Sequence, residues 1–210
     1  HRNVFIMTSR ELYWTMLNEK ILIPSCISAW NSRLNLQHEH TTWEKFFILP
    51  FKCMQNIQLK DFQLKILHRY YASKNLVSKW DKDTTGSCDL CNFEKSNILH
   101  IFVECIYTQQ FWEHIDNWLR PIIFPYTARL DSSNMLFGIV PYAVGNHCAN
   151  HCLMYCRFFI QSETKNANRP NFHRFIEYYR HVLQIEREIY IVRNELVLFS
   201  KLYSKLMNIM

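Results

Sequence analysis

The residues of this chain whose types and spacing could do chemistry lie between Cys88 and Cys105, in the stretch CDLCNFEKSNILHIFVEC. Cys88 and Cys91 are separated by two residues, His100 follows after eight more, and Cys105 after a further four. Soft thiolates and an imidazole at such short separations converge readily on one tetrahedral ion, and Zn²⁺ accepts a Cys₃His set. Four protein ligands leave no position for a catalytic water, so the expectation is one structural Zn²⁺. Chance spacing and a Cys88–Cys91 disulfide are the competing readings. The polar run 81–87, ending near Gly86, favours a turn beneath the Cys-x-x-Cys pair instead. Ser96 then stands where it can cap a helix that carries His100 inward.

Helices have to position these ligands. On the near side, residues 58–71 read as a helix with Leu59, Phe62, Ile66 and Tyr70 inward and Lys60, Lys65 and Arg69 outward, followed by Lys74 and Lys79. On the far side, residues 108–119 carry Phe111, Trp112, Ile115, Trp118 and Leu119 on a broad apolar side. Phe111 and Trp112 are expected to seal the metal site, because thiolate ligands need a dry surrounding shell. Further upstream, helices are expected over residues 8–19, over 25–36 with Ile27, Trp30 and Leu34 on one side, and over 41–47, the last ended by Pro50. The tryptophans read as core anchors rather than base-stacking residues.

Beyond residue 120, Pro121 and Pro125 break the pattern, and one short helix near 131–137 is expected in the connector. The tail reads as helices over 146–164 and from 170 to at least 199, with 166–169 as the turn between them. Cys148, Cys152 and Cys156 form one stripe of the first tail helix. With His147 and His151 they invite a second metal site, but buried cysteine is a common small core residue, and core packing is the preferred reading. In the second tail helix, arginines and glutamates interleave as partners three or four residues apart. The organisation is thus a helical lead-in (1–57), a zinc-knuckle module (58–120), a connector (121–145) and a C-terminal helical hairpin (146–210).

Composition agrees with an all-α fold. Only 3 Gly and 6 Pro occur in 210 residues, too few for a turn-rich β protein, while 49% hydrophobic and 15% aromatic residues suffice for a real core. The formal charge of +6 admits a phosphate-bearing partner without naming one. Eight cysteines, four of them in metal spacing, and no signal peptide point to a reducing, intracellular setting, nucleus or cytoplasm. No apolar run is long enough to span a bilayer, so no membrane partner is expected. The first residues, His1-Arg2-Asn3, lack an initiator Met, which leads us to expect a piece of a longer polypeptide.

Taken together, Leu59-Lys60-Asp61-Phe62-Gln63-Leu64-Lys65-Ile66-Leu67-His68-Arg69, the Cys-x-x-Cys loop, His100 to Cys105 and Phe111-Trp112 resemble, in order, the reverse-transcriptase zinc-binding domain near the carboxyl end of LINE-type non-LTR retrotransposon polyproteins. The resemblance implies Cys88, Cys91, His100 and Cys105 as zinc ligands and a noncatalytic role beside the polymerase part of a parent polyprotein. It also implies RNA or DNA as partner, with Lys60, Lys65, Arg69, Lys74 and Lys79 as the contact face. One departure is that Ser96-Asn97-Ile98-Leu99 precedes His100 where the family usually has an acidic residue near the histidine. No Asp-Asp pair, Pro-Asp dipeptide, Gly-rich phosphate loop or His-Glu-x-x-His occurs, so no catalysis is expected. Alternatives are a module that braces the polymerase or contacts another protein, and a decayed or domesticated copy.

Overall fold

The computed structural model describes Thr8 and residues 23–210, and apart from Thr8 the helix expected over 8–19 lies outside the described residues. Among the described residues every regular element is helical and no strand occurs. Two units are distinguished, residues 1–36 and residues 37–210. In the first, α1 (Ser25–Leu34) buries Cys26, Ile27 and Trp30 and ends on Asn35 in the left-handed region.

The second unit begins with α2 (His40–Cys53), which runs straight through Pro50. A proline inside a helix forfeits a hydrogen bond and costs about 3 kcal/mol. Here Trp43, Phe46, Leu49, Pro50 and Cys53 form one buried stripe, and continuing the helix keeps that stripe in the core. Helix α3 (Ile57–Leu67) is capped by the Asn56 side chain, which accepts from the N–H groups of Gln58 at 2.8 Å and Leu59 at 3.3 Å. It ends earlier than the pattern predicts. Arg69 takes φ +62°, and the Tyr70 N–H returns to the Lys65 carbonyl at 2.8 Å. This reversal shifts the phase by one residue: Tyr70, expected inward, is 77% exposed, and Tyr71 is buried instead.

After the single turn α4 (Lys74–Val77) the chain passes through the cysteine loop and a π-helical segment, His100–Glu104. Helix α5 (Ile106–Ile123) follows and again includes a proline, Pro121, because Ile122 and Ile123 beyond it are buried. Helix α6 (Ser132–Phe137) is the short helix expected in the connector, closed at its start by a reciprocal Asp131–Asn134 capping box. Three helices complete the unit: α7 (His147–Lys165), α8 (Phe172–Val192) and α9 (Leu196–Met207). The first two form the expected hairpin. The second does not run unbroken to 199, because Asn194 at φ +57° turns the chain back and the Glu195 N–H bonds the Tyr190 carbonyl at 2.8 Å.

Helix α7 is the axis of the unit. Every residue from His147 to Arg157 is buried, and the helix meets α2, α3, α5, α6, α8, α9 and the π-helical segment. Over these residues the helix has no polar face to give to water, so its polar side chains there tie it to its neighbours. Asn150 accepts from the Ile139 N–H at 2.7 Å and donates to the Ile139 carbonyl at 3.0 Å. Arg157 donates to Gln63 Oε1 at 2.7 Å and to the Met135 carbonyl at 2.9 Å. Cys148, Cys152 and Cys156 pack in the core on this helix, and among the described residues they do not join a metal-ligating group. No helix among the described residues is long and apolar enough to cross a membrane.

Candidate metal centre

The Cys-x-x-Cys turn is built by backbone bonds. The Asn92 N–H donates to the Cys88 carbonyl at 2.9 Å, and the Cys88 N–H donates to the Phe93 carbonyl at 2.8 Å. Asn92, at φ +59°, supplies the left-handed residue the turn requires. Gly86 serves differently from the turn role expected of it: its carbonyl accepts from Ser96 at 2.8 Å, and a Cβ there would stand 3.1 Å from Ser78 Oγ. Ser96 is thereby engaged through its backbone. The cap of the histidine-bearing segment is the next residue, Asn97, whose side chain accepts from the His100 N–H at 2.9 Å.

The wide turn from His100 to Glu104 brings the remaining two ligands together. In an α-helix, residues five apart point about 140° away from each other. Here the Cys105 N–H bonds the His100 carbonyl at 2.8 Å, five residues back, and the widened coil returns Cys105 toward the side of His100. Such a segment leaves carbonyls without regular partners. Thr108 Oγ1 donates to the Ile101 carbonyl at 3.0 Å and Trp112 Nε1 to the Phe102 carbonyl at 2.7 Å, so the first turns of α5 hold it in place.

The result is one cluster. The Sγ atoms of Cys88, Cys91 and Cys105 and a ring nitrogen of His100 all lie within 4.8 Å of one another, with Cys91 Sγ 3.3 Å from His100 Nε2. Metal–sulfur bonds of about 2.3 Å at tetrahedral angles place sulfurs roughly 3.8 Å apart and sulfur and nitrogen roughly 3.6 Å apart. The residues therefore fit a single ion with four protein ligands. Cys88, His100 and Cys105 are buried and Cys91 is half-buried.

Burial pushes the Cys105 thiol up to about 12, Cys88 and Cys91 add to the rise, and the N–H groups of Tyr107 and Thr108 oppose it. Gathering three thiolates without a cation is unfavourable, and a cation among them reverses the sign of that interaction. Burial also holds His100 below its ordinary value, against the opposing charge of Glu104, which keeps the imidazole in the neutral, ligating form.

Of the two aromatic residues expected beside the metal, Trp112 braces the π-helical segment as described. Phe111 packs against Phe159 of α7 and Phe175 of α8, with ring centroids 5.9 and 5.5 Å away. The ring that covers the histidine is Phe93, stacked on His100 at 4.6 Å and 15°. Sequence reasoning did not single it out, although it is the aromatic residue nearest after the Cys-x-x-Cys pair. Of the basic residues, Lys60 and Lys65 lie on α3, Arg69 just after it, Lys74 at the start of α4 and Lys79 just beyond α4. Lys65 pairs with Asp61 at 2.7 Å, Lys74 pairs with Asp89, and Lys60 lies over the Phe51 ring at 5.8 Å. Arg69 and Lys79 are exposed. These cations are thus partly matched by local acids, which the spacing on α3 alone did not foretell. The sequence matches no protein-family model and no curated protein.

Proposed function

We propose that this chain is a noncatalytic Zn²⁺-binding segment belonging to a retrotransposon reverse transcriptase, and that it binds template RNA or target DNA beside the polymerase part of the parent polyprotein. The observation that carries the reading is the Cys88, Cys91, His100 and Cys105 cluster, with the helix bearing Lys65 before it and the helix bearing Trp112 after it. Three sulfurs and one imidazole are a soft set suited to zinc among the common divalent ions. With four protein donors the ion acts on folding, as in small zinc modules where binding is worth about 10–16 kcal/mol.

Nucleic-acid contact draws on Lys60, Lys65, Arg69, Lys74 and Lys79. The Lys65–Asp61 pair is exposed, and such pairs contribute about 0–1 kcal/mol, so a phosphate can displace the acid. A filter-binding titration against single-stranded RNA and duplex DNA at several salt concentrations tests the reading. Binding that falls steeply with salt supports it, provided the slope is shallower by about 0.7–0.9 for each phosphate that Lys65→Gln or Lys79→Gln no longer neutralises. Affinity too weak to measure at low salt removes it. Native mass spectrometry reads the metal directly, and a mass without one zinc removes that part.

A second reading, contact with the polymerase or another protein, is favoured by one observation. Val192 and Val197, at the α8–α9 corner, are 81% and 85% exposed, and Ile191, Leu196 and Leu198 beside them are exposed too. Loss of partner capture in Val192→Asp and Val197→Asp, with nucleic-acid binding unchanged, would favour it.

A further inference from the structure

Away from the metal centre, α8 turns one carboxylate into the protein. Glu186 is 4% exposed. Its Oε1 stands 3.6 Å from His151 Nε2, just beyond hydrogen-bonding distance. Its Oε2 has no hydrogen-bond partner, nor does His151 Nε2, while His151 Nδ1 is engaged by the Tyr179 hydroxyl at 2.8 Å. A buried carboxyl oxygen left without a donor is costly. The α8 register could have buried an aliphatic side chain at this position.

The same residue lines a cleft of about 660 Å³, within the range of about 300–1,000 Å³ typical of small-ligand sites. Its walls include Tyr155 of α7, Tyr178 and Ile185 of α8, and residues 55–58 at the start of α3. Glu186 is the only carboxylate among its lining residues, and the other groups there able to carry charge are His181 and Arg193. Arg193 lies about 10 Å along the helix from Glu186, and its guanidinium donates to Gln55 Oε1 at 3.1 Å. The Tyr155 and Tyr178 ring centroids are 6.2 Å apart. Burial pushes the Tyr178 phenol up to about 12. It raises Tyr155 as well, with the Glu186 charge adding to the rise. Both rings are therefore neutral phenols that offer electron-rich faces beside a negative group.

We infer that this cleft binds an alkylguanidinium group, its head paired with the Glu186 carboxylate and its apolar stem lying along Ile185 and the two tyrosine rings. A guanidinium is planar, presents paired donors to a carboxylate and stacks on aromatic faces, which suits this lining better than a compact, strongly hydrated ammonium. A bare divalent metal would want several oxygen ligands, and one carboxylate does not supply them. Turning an oxygen of Glu186 toward the cleft uses the terminal carboxyl torsion, which is soft. The group could arrive as a free small guanidine or as the arginine side chain of a peptide.

Calorimetric titration of the whole chain with n-butylguanidinium, with its neutral isostere n-butylurea and with a blocked arginine tripeptide tests this. Saturable n-butylguanidinium binding is expected, with n-butylurea at least about tenfold weaker and Glu186→Gln weakening the guanidinium about tenfold or more. A tripeptide that binds tighter than n-butylguanidinium assigns the site to an arginine side chain, and one that binds no tighter assigns it to a free small guanidine. No saturable binding of either guanidinium probe at millimolar concentration overturns the inference, and so does a Glu186→Gln protein that binds as the wild type does. Equal binding of n-butylurea and n-butylguanidinium overturns it on the wild type alone, whether or not the variant folds.

Discussion

The loop that carries the metal ligands and the helices gathered around α7 are held together by different means. Between Arg69 and Cys105 only one turn of α-helix and one π-helical segment are regular over any length, and four ligand side chains converge within 4.8 Å. Around α7 every side chain from His147 to Arg157 is buried, and Asn150, His151 and Arg157 each bond a residue of another segment. The first region has little regular structure, and its four ligand side chains, brought from separate loop positions, could be joined by one metal ion. The second relies on packing and on polar cross-ties from Asn150, His151 and Arg157 to other segments.

That difference predicts unequal responses to metal removal. On the proposed zinc reading, a strong chelator or Cys105→Ser is expected to lower the stability of the 37–210 unit by at least about 5 kcal/mol, since structural zinc contributes on the order of its binding energy to folding. Hydrogen exchange should show protection lost first across 69–105, while the amides of α7 keep most of theirs. Protection in the loop that survives metal removal would break the comparison.

The reciprocal perturbation strikes α7. Arg157 is wholly buried, reaches Gln63 and the Met135 carbonyl, and has one nitrogen, Nη2, without a hydrogen-bond partner. Burial pulls its guanidinium down to about 9, with Cys156, Cys53 and Cys152 opposing. Arg157→Ala should cost about 3–5 kcal/mol in urea unfolding, from a cavity plus two abandoned partners. Arg157→Met should cost less, because it fills most of the cavity although it abandons the same two partners. Metal content should be unchanged in both. A lower metal content in Arg157→Met would mean that the two regions fold as one.

A third perturbation uses pH. Burial, with His151 nearby, pulls His147 from its ordinary 6.5 down to about 4. Above 6.5 the residue is neutral in both folded and unfolded chains and pH has no leverage through it. As pH falls from about 6.5 toward about 4, the unfolded chain takes the proton first, and stability declines. The decline between pH 7.5 and 5 is about 2 kcal/mol for a shift of this size. His147→Gln should flatten that part of the acid limb, while acid loss of the metal, common to both proteins, cancels in the difference. Identical slopes in the two proteins would show that His147 takes its proton over the same pH range folded as unfolded.

These contrasts also explain what could be read in advance. Cys88, Cys91, His100 and Cys105 were legible because ligand spacing is a local property. The helices before and after them were legible for the same reason, since apolar periodicity is local too. Pro50 and Pro121 were misread as stops, because the gain from burying Leu49, Cys53, Ile122 and Ile123 comes from tertiary neighbours that a local pattern does not contain. The break at Asn194 and the phase slip at Arg69 arose from left-handed residues that are not glycine, where the usual signal was absent. The surroundings of Asn150, His151 and Glu186 could not be read locally, because the groups that face them, such as Ile139 for Asn150 and Tyr179 for His151, come from other segments.

Arg69 allows the finest test, because it belongs to both regions: it ends α3 and begins the approach to the loop. At φ +62° a side chain is strained where glycine is not. Arg69→Gly should therefore stabilise the unit slightly, by about 0.5 kcal/mol in equilibrium urea unfolding. The proposed nucleic-acid face includes this side chain, so the same variant also tests contact. Weaker RNA or DNA binding in a protein that is no less stable would separate contact from folding. A variant that unfolds more easily would instead assign the Arg69 side chain to holding the turn, and remove it from the contact face.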